Sequence, residues 1–354
     1  MMSASRSLPS APDPVHPAPR PQYAHLQRLS DRVGLFEHAR YGVPRREHGY
    51  CVDDVARGLL VTVREPEPSP AVARLTEIYL RFLEQALDDH GRAHNRRSTD
   101  GFWLDEAAVG DWWGRAVWAL GVASTSAPTP LTRRRASRAF ARLVQQDPDD
   151  LHTAAFATLG AGAVLLADPD HAAAERLVRR FVQMVPRPRP TEWPWPEPRL
   201  RYGSASIAEA EILAGLVLGE SEVLGHGLRL LQFLLDIEVR SGHLSVSGTG
   251  GRGRNETGPL FDQQPIEAAA IADACARAFE VTGDPSWLAG VRMAWAWFGG
   301  DNDSDIPMLD MDSGAGFDGL EPFGRNENQG AESTLAALST WQQARRHLQS
   351  QVLT

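Results

Sequence analysis

Apolar positions along the chain recur mostly at helical spacing, at i, i+3, i+4 and i+7, from about residue 23 onward. Alternation typical of strands is scarce, and the best short example is "GHLSVSG" at 242–248. The pattern therefore predicts about twelve helices, which form six pairs. The predicted helices span 23–40, 51–64, 70–88, 110–124, 131–146, 150–167, 170–184, 204–219, 220–239, 264–282, 285–299 and 330–348.

The connections between these helices are of two kinds. Short ones such as "EPEPSP", "ADPDH" and "TGDPS" carry Pro and Asp and are typical of turns between antiparallel helices. Long ones span 89–109, 185–203, 240–263 and 300–329, hold most of the Gly, Trp and Asp, and each leads into the second helix of a pair. Since long loops in a compact domain are usually functional, we expect a site at the end where they gather.

The second helices of the pairs are the more apolar and Ala-rich ones, as in "HTAAFATLGAGAVLLA" and "PIEAAAIADACARAF". A helix that is apolar nearly all round is buried. We therefore expect the second helices to form an inner ring and the first helices an outer ring. This predicts an all-α (α/α)6 barrel, a six-hairpin toroid, as a single domain over 23–348. An α-solenoid is the alternative, but the chain shows no fixed sequence period.

Composition excludes several classes of protein. Apolar residues make up 42% of the chain, which suffices for a large core, and the net charge is −9 with both signs mixed. There is no basic stripe for nucleic acid or for an anionic membrane surface, and no apolar run of the ~20 residues that span a bilayer. Cys51 and Cys275 are the only cysteines, which rules out a disulfide framework and a cysteine zinc site.

The N-terminal segment 1–22, "MMSASRSLPSAPDPVHPAPRPQ", is rich in Pro, Ser and Ala. It lacks the apolar core of a signal peptide, so we expect a disordered tail and a cytoplasmic protein.

Polar and aromatic residues gather where the second helices are predicted to start. If those helix starts face one mouth of the toroid, their side chains line a common cavity. Aromatic faces combined with carboxylates and amides suit a sugar ligand. The residues at the helix starts are Tyr50, Asp53, Asp54, Asp111, Trp112, Trp113, Arg115, His152, Tyr202, Ser204, Gln263, Gln264, Glu267, Asn328, Gln329 and Glu332, and the loops add Trp103, Trp193, Trp195, Asp262, Asp310 and Asp318.

Structural roles compete with these functional ones. Asp53 and Asp54 in "EHGYCVDDVARGLL" suit helix capping, but one aspartate would satisfy that need. We therefore expect one aspartate to serve the helix and the other the cavity. Trp112 is at helical spacing and suits the core equally well, whereas Trp193 and Trp195 lie in a Pro-locked loop that would hold aromatic rings in fixed orientations.

Metal and phosphate sites are poorly supported. "DDVAR" lacks the third acid of the metal-binding motif of terpenoid cyclases. The segment Asp301 to Asp312 imitates a calcium loop but has Ile306 where glycine is needed and Asp312 in place of the bidentate glutamate. "GTGGRGRNETG" does not follow a strand and lacks the Lys-Ser/Thr pair of a phosphate loop. We expect no metal and no cofactor.

Several motifs together resemble a known family. "GYCVDDVARGLL", "DWWGRAVWALG", "WPWPEPRLRY", "DQQPIEAAAIADA", "FDGLE" and "NQGAESTLAALS" are similar to the successive motifs of bacterial six-hairpin glycosidase-like barrels, over about 48–340. Such domains are often fused to, or encoded beside, GT-B glycosyltransferases, so the resemblance implies a glycosyltransferase as a candidate partner. One departure is that the family pattern reads Tyr-Asp-Asn where this chain has Tyr202-Gly203-Ser204. The resemblance identifies Asp53, Asp54, Arg57, Arg115, Gln264, Glu267 and Glu332 as motif positions.

These observations favour an inverting glycoside hydrolase or a related sugar-active enzyme, such as a phosphorylase, acting on an oligosaccharide or glycoside. Asp54 and Glu332 are the expected catalytic pair, with Asp111 and Glu267 in reserve. Because they start different inner helices, we expect the pair to stand ~6.5–9.5 Å apart, the separation that gives inversion. The residues expected to bind substrate are Tyr50, Asp53, Arg57, Trp112, Arg115, Trp193, Trp195, Tyr202, Gln264, Asn328 and Gln329.

Two other functions stay open. The Gly203-Ser204 departure favours a non-catalytic, carbohydrate-binding barrel associated with a glycosyltransferase. An epimerase would require paired histidines, for which His152 and His48 are the candidates.

Overall fold

The computed structural model describes residues 22–186 and 193–348, so most of the predicted disordered tail, residues 1–21, lies outside the described residues. Within those two ranges the chain forms twelve α-helices and short paired strands. The helices are α1 (Ala24–Arg28), α2 (Val52–Val63), α3 (Pro70–Ala86), α4 (Asp111–Ser126), α5 (Pro130–Leu143), α6 (Leu151–Ala167), α7 (Ala172–Met184), α8 (Ala205–Leu218), α9 (Ser221–Glu238), α10 (Pro265–Thr282), α11 (Leu288–Gly299) and α12 (Ala331–Leu348).

The even-numbered helices form a closed inner ring. Each packs on the next one, from α2 through α4, α6, α8 and α10 to α12, and α12 packs back on α2. Glycines permit the close approach of α4 and α6, because a Cβ on Gly121 would lie 2.4 Å from the carbonyl oxygen of Gly160. The (α/α)6 barrel predicted from the apolar pattern is confirmed.

The odd-numbered helices α3, α5, α7, α9 and α11 lie outside this ring. Each follows an inner helix after a short turn and packs mainly on that helix. Ser69 and Thr129 cap α3 and α5 with their side chains, and Pro70 and Pro130 occupy the first helical position. The tight hairpins therefore run from an inner helix to the outer helix that follows it.

The predicted first helix, 23–40, is wrong except at its start. The helix α1 ends at Arg28, and the chain then makes a small ribbon of two strands, β1 and β2. Tyr41 at the turn of this ribbon has φ 50°, a left-handed conformation that breaks a helix, and Pro44 follows in β2. This segment instead lies beside the start of α12, where the amide of Ala331 donates to the carbonyl of Glu37.

The long connections carry the other strands, which pair as short ribbons where the chain enters the inner helices. Their antiparallel pairs are β1–β2, β3–β4, β5–β8, β6–β7, β9–β10 and β11–β12. Their bounds are β1 (Ala39–Arg40), β2 (Val43–Pro44), β3 (Tyr50–Cys51), β4 (Arg96–Arg97), β5 (Arg199–Leu200), β6 (Val239–Arg240), β7 (His243–Leu244), β8 (Arg252–Gly253), β9 (Leu309–Asp310), β10 (Ala315–Gly316), β11 (Gly319–Glu321) and β12 (Gly324–Asn326). These ribbons build the wall of one mouth of the barrel. In the part of the chain that the structure describes, no helix has the length and apolarity needed to span a bilayer.

Candidate active site

The mouth at the N-terminal ends of the inner helices holds a cavity of about 320 Å³, here called the front cavity. Six of its lining residues are carboxylic acids, which is an unusual concentration of negative charge for one small space. The lining residues are Glu37, His38, Cys51, Asp53, Asp54, Arg57, Asn95, Arg96, Asp111, Trp112, Gln264, Asp318, Gly330, Glu332 and Ser333.

Arg57 organises the floor of this cavity. It lies one turn into α2, on the same face as Asp53 and Asp54, because residues three and four apart are neighbours on a helix. Its Nη1 donates to Asp54 Oδ1 at 2.6 Å, and its Nη2 lies 2.9 Å from Asp53 Oδ2 and 2.9 Å from Glu332 Oε2. The same guanidinium donates to the hydroxyl of Tyr202, which in turn donates to Glu332.

The expectation that one of the two aspartates caps α2 does not hold. The N-cap residue is Cys51, and no side chain forms a capping hydrogen bond there. Both aspartates instead bind arginine. Asp53 also pairs with Arg115 of α4, whose Nε lies 2.7 Å from Oδ1 and whose guanidinium lies 3.9 Å from the centre of the Phe156 ring.

Asp54 is the most deeply buried carboxyl of the cavity floor, with 4% of its surface exposed. Burial raises the pKa of Asp54 to about 7, and the negative charges of Asp53 and Glu332 add to the rise against the opposing effect of Arg57. Near neutral pH this carboxyl therefore has a proton to donate.

Glu332 is more open, with 29% of its side chain exposed. Asp318 holds the start of α12 in place, because its Oδ1 accepts from the amide of Gly330 at 2.7 Å and from the hydroxyl of Ser333 at 2.8 Å. Burial raises the pKa of Asp318, and the charge of Glu332 contributes. The loop that carries Asp318 thus positions Glu332.

The nearest carboxylate oxygens of Asp54 and Glu332 lie close together. One oxygen of each, together with one of Asp53, all lie within 4.8 Å of one another. The spacing of the helix axes is not the deciding factor, because Arg57 reaches between the helices and draws the carboxylates together.

The two reserve acids occupy different environments. Asp111 is exposed at the cavity wall and accepts from the hydroxyl of Thr153 at 2.8 Å. Glu267 is buried and is not part of the lining; its Oε1 accepts from the amide of Gly203 at 2.7 Å. Burial raises the pKa of Glu267 well above its ordinary value, with the charge of Glu238 as the next cause. Glu267 supports the turn before α8.

Among the predicted aromatic contacts, Trp112 lines the front cavity and donates from its Nε1 to the carbonyl of Ala93 at 2.7 Å. Trp193 is half-buried against Phe233, and Trp195 is only 4% exposed. Neither is among the lining residues of the front cavity, and their predicted role as sugar platforms stays a prediction.

Tyr50 also lies in the core. Its ring stacks on Phe36 at 4.9 Å and its hydroxyl donates to Asp31 at 2.8 Å.

The amide side chains predicted to bind substrate lie in two different places. Gln264 lines the cavity, whereas Asn328 accepts from the amide of Tyr41 and Gln329 lies against the same turn.

The two histidines suggested for an epimerase do not contact each other. His152 lies 3.0 Å from Glu197, and the exposed His48 packs edge-on against His38 at 5.1 Å. Among the histidines of 22–186 and 193–348, His38 alone lines the front cavity.

Sequence reasoning missed Glu37, His38, Asn95 and Arg96. The first two fall in the segment 23–40 predicted as a helix, and the Gly and Pro of "ARYGVP" just after it are the sequence signal of a turn. Arg96 forms an ion pair with Glu37 and lies on β4, which pairs with β3 just before α2. The pairing of these short strands brings both residues to the rim.

Comparisons with known proteins find similar folds among solved structures. No protein-family model matches the chain, and no curated protein matches it. Among solved structures, cellobiose 2-epimerase from Spirochaeta thermophila has a TM-score of 0.64 at 14% identity, covering 92% of this chain and 93% of that chain. A D-mannose isomerase has a TM-score of 0.66 at 10% identity, covering 92% and 94%. A GH76 alpha-mannanase from Bacteroides thetaiotaomicron has a TM-score of 0.63 at 10% identity, covering 93% and 94%.

The chain shares the (α/α)6-barrel fold of these structures. These neighbours are carbohydrate-active enzymes of several reaction types, and they match this chain along nearly its whole length. At 10–14% identity the likeness establishes the architecture, while the chemistry has to be argued from the residues of the site.

Proposed function

We propose that this protein is a carbohydrate-active enzyme that cleaves a glycosidic bond with Asp54 as proton donor and Glu332 as its partner carboxylate. The observation that carries the proposal is the pairing of these two acids across Arg57 inside the front cavity. One is buried with its pKa raised to about 7, and the other is open to the cavity and paired with arginine. Carboxyl groups placed in such different environments divide the acid and base roles between them.

The substrate groups follow from the other lining residues. Trp112 offers an apolar ring to one face of a sugar, and Gln264, Asp111 and Asn95 offer hydrogen-bonding groups to its hydroxyls. Asp53 and Arg115 act as positioning residues, because their ion pair holds Arg57 and thereby both reacting acids.

The separation of the two acids now favours a retaining reaction over the inversion expected from the sequence. Carboxyl groups ~5–5.5 Å apart place a nucleophile against the anomeric carbon, whereas inversion needs ~6.5–9.5 Å to hold a water. One oxygen of Glu332 and one of Asp54 lie within 4.8 Å of each other, and this short approach supports the shorter class. Glu332 would attack the anomeric carbon while Asp54 protonates the leaving oxygen; Asp54 would then deprotonate the water that releases the sugar.

The first experiment compares Asp54→Asn with Asp236→Asn, a change at an exposed aspartate of α9. On a panel of manno-, gluco- and galacto-oligosaccharides, with and without phosphate, Asp54→Asn should lower turnover about 10²–10⁴-fold. Ligand affinity should stay within about tenfold, because the amide keeps the shape of the carboxyl. Full turnover in Asp54→Asn would remove Asp54 from the mechanism. Proton NMR of the first-formed product reports whether the anomeric configuration is retained.

A second candidate function is carbohydrate binding without catalysis, in association with a glycosyltransferase. The observation that favours it is the space beside Arg115. Gly203 has φ 67°, and a Cβ added there would approach Arg115 Nη2 no closer than 3.9 Å. An aspartate, which tolerates this conformation better than most residues, would place a carboxylate against Arg115. This chain lacks that carboxylate.

Gly203→Asp separates the two functions. If the barrel is a binding domain that has lost an acid, the wild type should bind oligosaccharide without turnover and Gly203→Asp should gain turnover. If Asp54 and Glu332 suffice, the wild type should turn over substrate and Gly203→Asp should change its rate little. Gly203→Ala is the matched control, since it adds the Cβ strain without the charge.

A further inference from the structure

The opposite mouth of the barrel holds a second and larger cavity of about 780 Å³, here called the back cavity. It lies at the C-terminal ends of the inner helices, where the turns are short. Val122 of α4, Leu159 and Leu166 of α6 form an apolar wall. A cavity of this size falls within the range of ~300–1,000 Å³ that small-molecule sites occupy.

The floor of the back cavity contains polar atoms that lack partners. Glu209 of α8 is 2% exposed, and its Oε2 has no hydrogen-bond partner among the described residues. Arg277 Nε lies 3.8 Å from Glu209 Oε1, too far for a hydrogen bond, and is likewise unpartnered within the described ranges. Since buried polar groups are nearly always hydrogen-bonded, these atoms mark a place where a ligand or water supplies the partner.

The other charges around this cavity are already neutralised. Arg64 Nη1 lies 3.2 Å from Asp273 Oδ1, and the same carboxylate accepts from Gln343 at 2.5 Å. Glu280 lies 2.9 Å from Arg277 Nη1 and 3.0 Å from Arg346. An ionic ligand would have to displace one of these partners, whereas a neutral ligand with donors and acceptors would not.

Glu209 fits a neutral ligand for a second reason. Burial raises the pKa of Glu209 to about 7, and the charge of Asp273 adds to the rise. Near neutral pH its carboxyl can therefore donate one hydrogen bond and accept others, which is what a sugar hydroxyl requires.

We propose that the back cavity binds a neutral polyhydroxylated ligand, a mono- or disaccharide, with Glu209 and Arg277 bonding its hydroxyls and the apolar wall covering its ring. The back cavity is separate from the front one. A void of about 40 Å³ lies between them, bounded by Arg57 and Arg115 on the front side and by Arg64 and Asp273 on the back side. This second site does not rest on the reaction proposed for Asp54.

The test uses the full chain carrying Asp54→Asn, so that hydrolysis cannot interfere. Isothermal titration and saturation-transfer NMR with D-glucose, D-mannose, D-galactose and cellobiose should detect a site that Ala163→Trp abolishes. Ala163 lines the back cavity and is half-buried, so the indole fills the space without removing a polar group. Ala141→Trp, on the exposed face of α5, is the matched control and should bind as before.

Two substitutions at Glu209 sharpen the result. Glu209→Gln keeps a donor and an acceptor and should bind within about threefold of the parent, whereas Glu209→Leu should lose roughly tenfold. Equal losses in both would indicate a cationic ligand and would contradict the proposal.

Unchanged binding in Ala163→Trp, or no binding anywhere in the panel, would also overturn the proposal. Ala167→Trp, at an exposed position of the same wall, replaces Ala163→Trp if that variant fails to fold. Failure of the reaction proposed for the front cavity would appear separately, as unchanged turnover in Asp54→Asn alone.

Discussion

The two mouths of the barrel pair their carboxylates with arginine in different ways. At the front, one arginine, Arg57, contacts Asp53, Asp54 and Glu332 at once, and burial, with the charges of Asp53 and Glu332 adding to it, raises the pKa of Asp54. At the back, Asp273 has its own arginine, Arg64, and also accepts from the amide of Gln343 and the hydroxyl of Ser339. The front mouth therefore concentrates three carboxylates on one cation, whereas the back mouth pairs Asp273 and Glu280 with separate arginines and leaves Glu209 Oε2 without a hydrogen bond among the described residues.

The largest expected effect comes from removing the shared cation. Arg57→Met removes the cation that contacts the buried Asp54, while Asp53 keeps Arg115 and Glu332 keeps the Tyr202 hydroxyl, and it should lower the free energy of unfolding by about 3–5 kcal/mol. Arg64→Met should cost about 1–3 kcal/mol, because Asp273 keeps its bonds to Gln343 and Ser339. Urea unfolding of both variants at pH 7.5 measures the difference, and equal losses would contradict the comparison.

The pH dependence of turnover should report Asp54. As the proton donor of the first step it is active when protonated, so kcat/KM, which reports the free enzyme, should be constant between pH 5 and about 7 and fall about tenfold per pH unit above that. Steady-state kinetics between pH 5 and 9 measure this decrease. The control variant Glu209→Gln should show the same pH dependence as the wild type. A rate that stays constant up to pH 9 would exclude Asp54 as the acid.

The aromatic wall of the front cavity should affect binding more than stability. Trp112→Ala removes the ring that faces the cavity and should raise KM about tenfold with little change in kcat. Trp195→Ala, at a buried ring outside the lining, should lower the melting temperature and leave KM unchanged. The reverse result would return Trp195 to the role of sugar platform and place Trp112 in the packing.

The smallest effect concerns the stability of the back mouth. The folded-state pKa of Glu209 is raised to about 7, so folding favours its protonated form and the folded protein loses stability as pH rises from about 4.5 to 7. Glu209→Gln should therefore raise the melting temperature at pH 8 by about 2 °C and leave it unchanged at pH 4.5. Calorimetry at the two pH values measures this, and a lower melting temperature at pH 8 would show that the ionised carboxylate is stabilising.

Much of the architecture could be predicted because a buried helix can be recognised from its apolar composition. The helix α6 is apolar nearly all round, so its place in the inner ring follows from composition alone. The segment 29–49 could not be predicted this way. Its apolar residues Leu35 and Phe36 are buried, but they belong to an irregular connection with its own left-handed turn.

The sequence by itself determined the barrel, the end at which the polar residues gather, and the motif that carries Asp53, Asp54 and Arg57. It could also place Glu332 at the start of an inner helix. Only the tertiary structure decided that Arg57 binds all three carboxylates, that Tyr50 and Trp195 are buried, and that a second polar cavity lies at the other mouth. The physical reason is that hydrophobic periodicity is a local property of the chain. The spacing of charges from different helices depends on side chains that reach across the ring, and no local pattern records that distance.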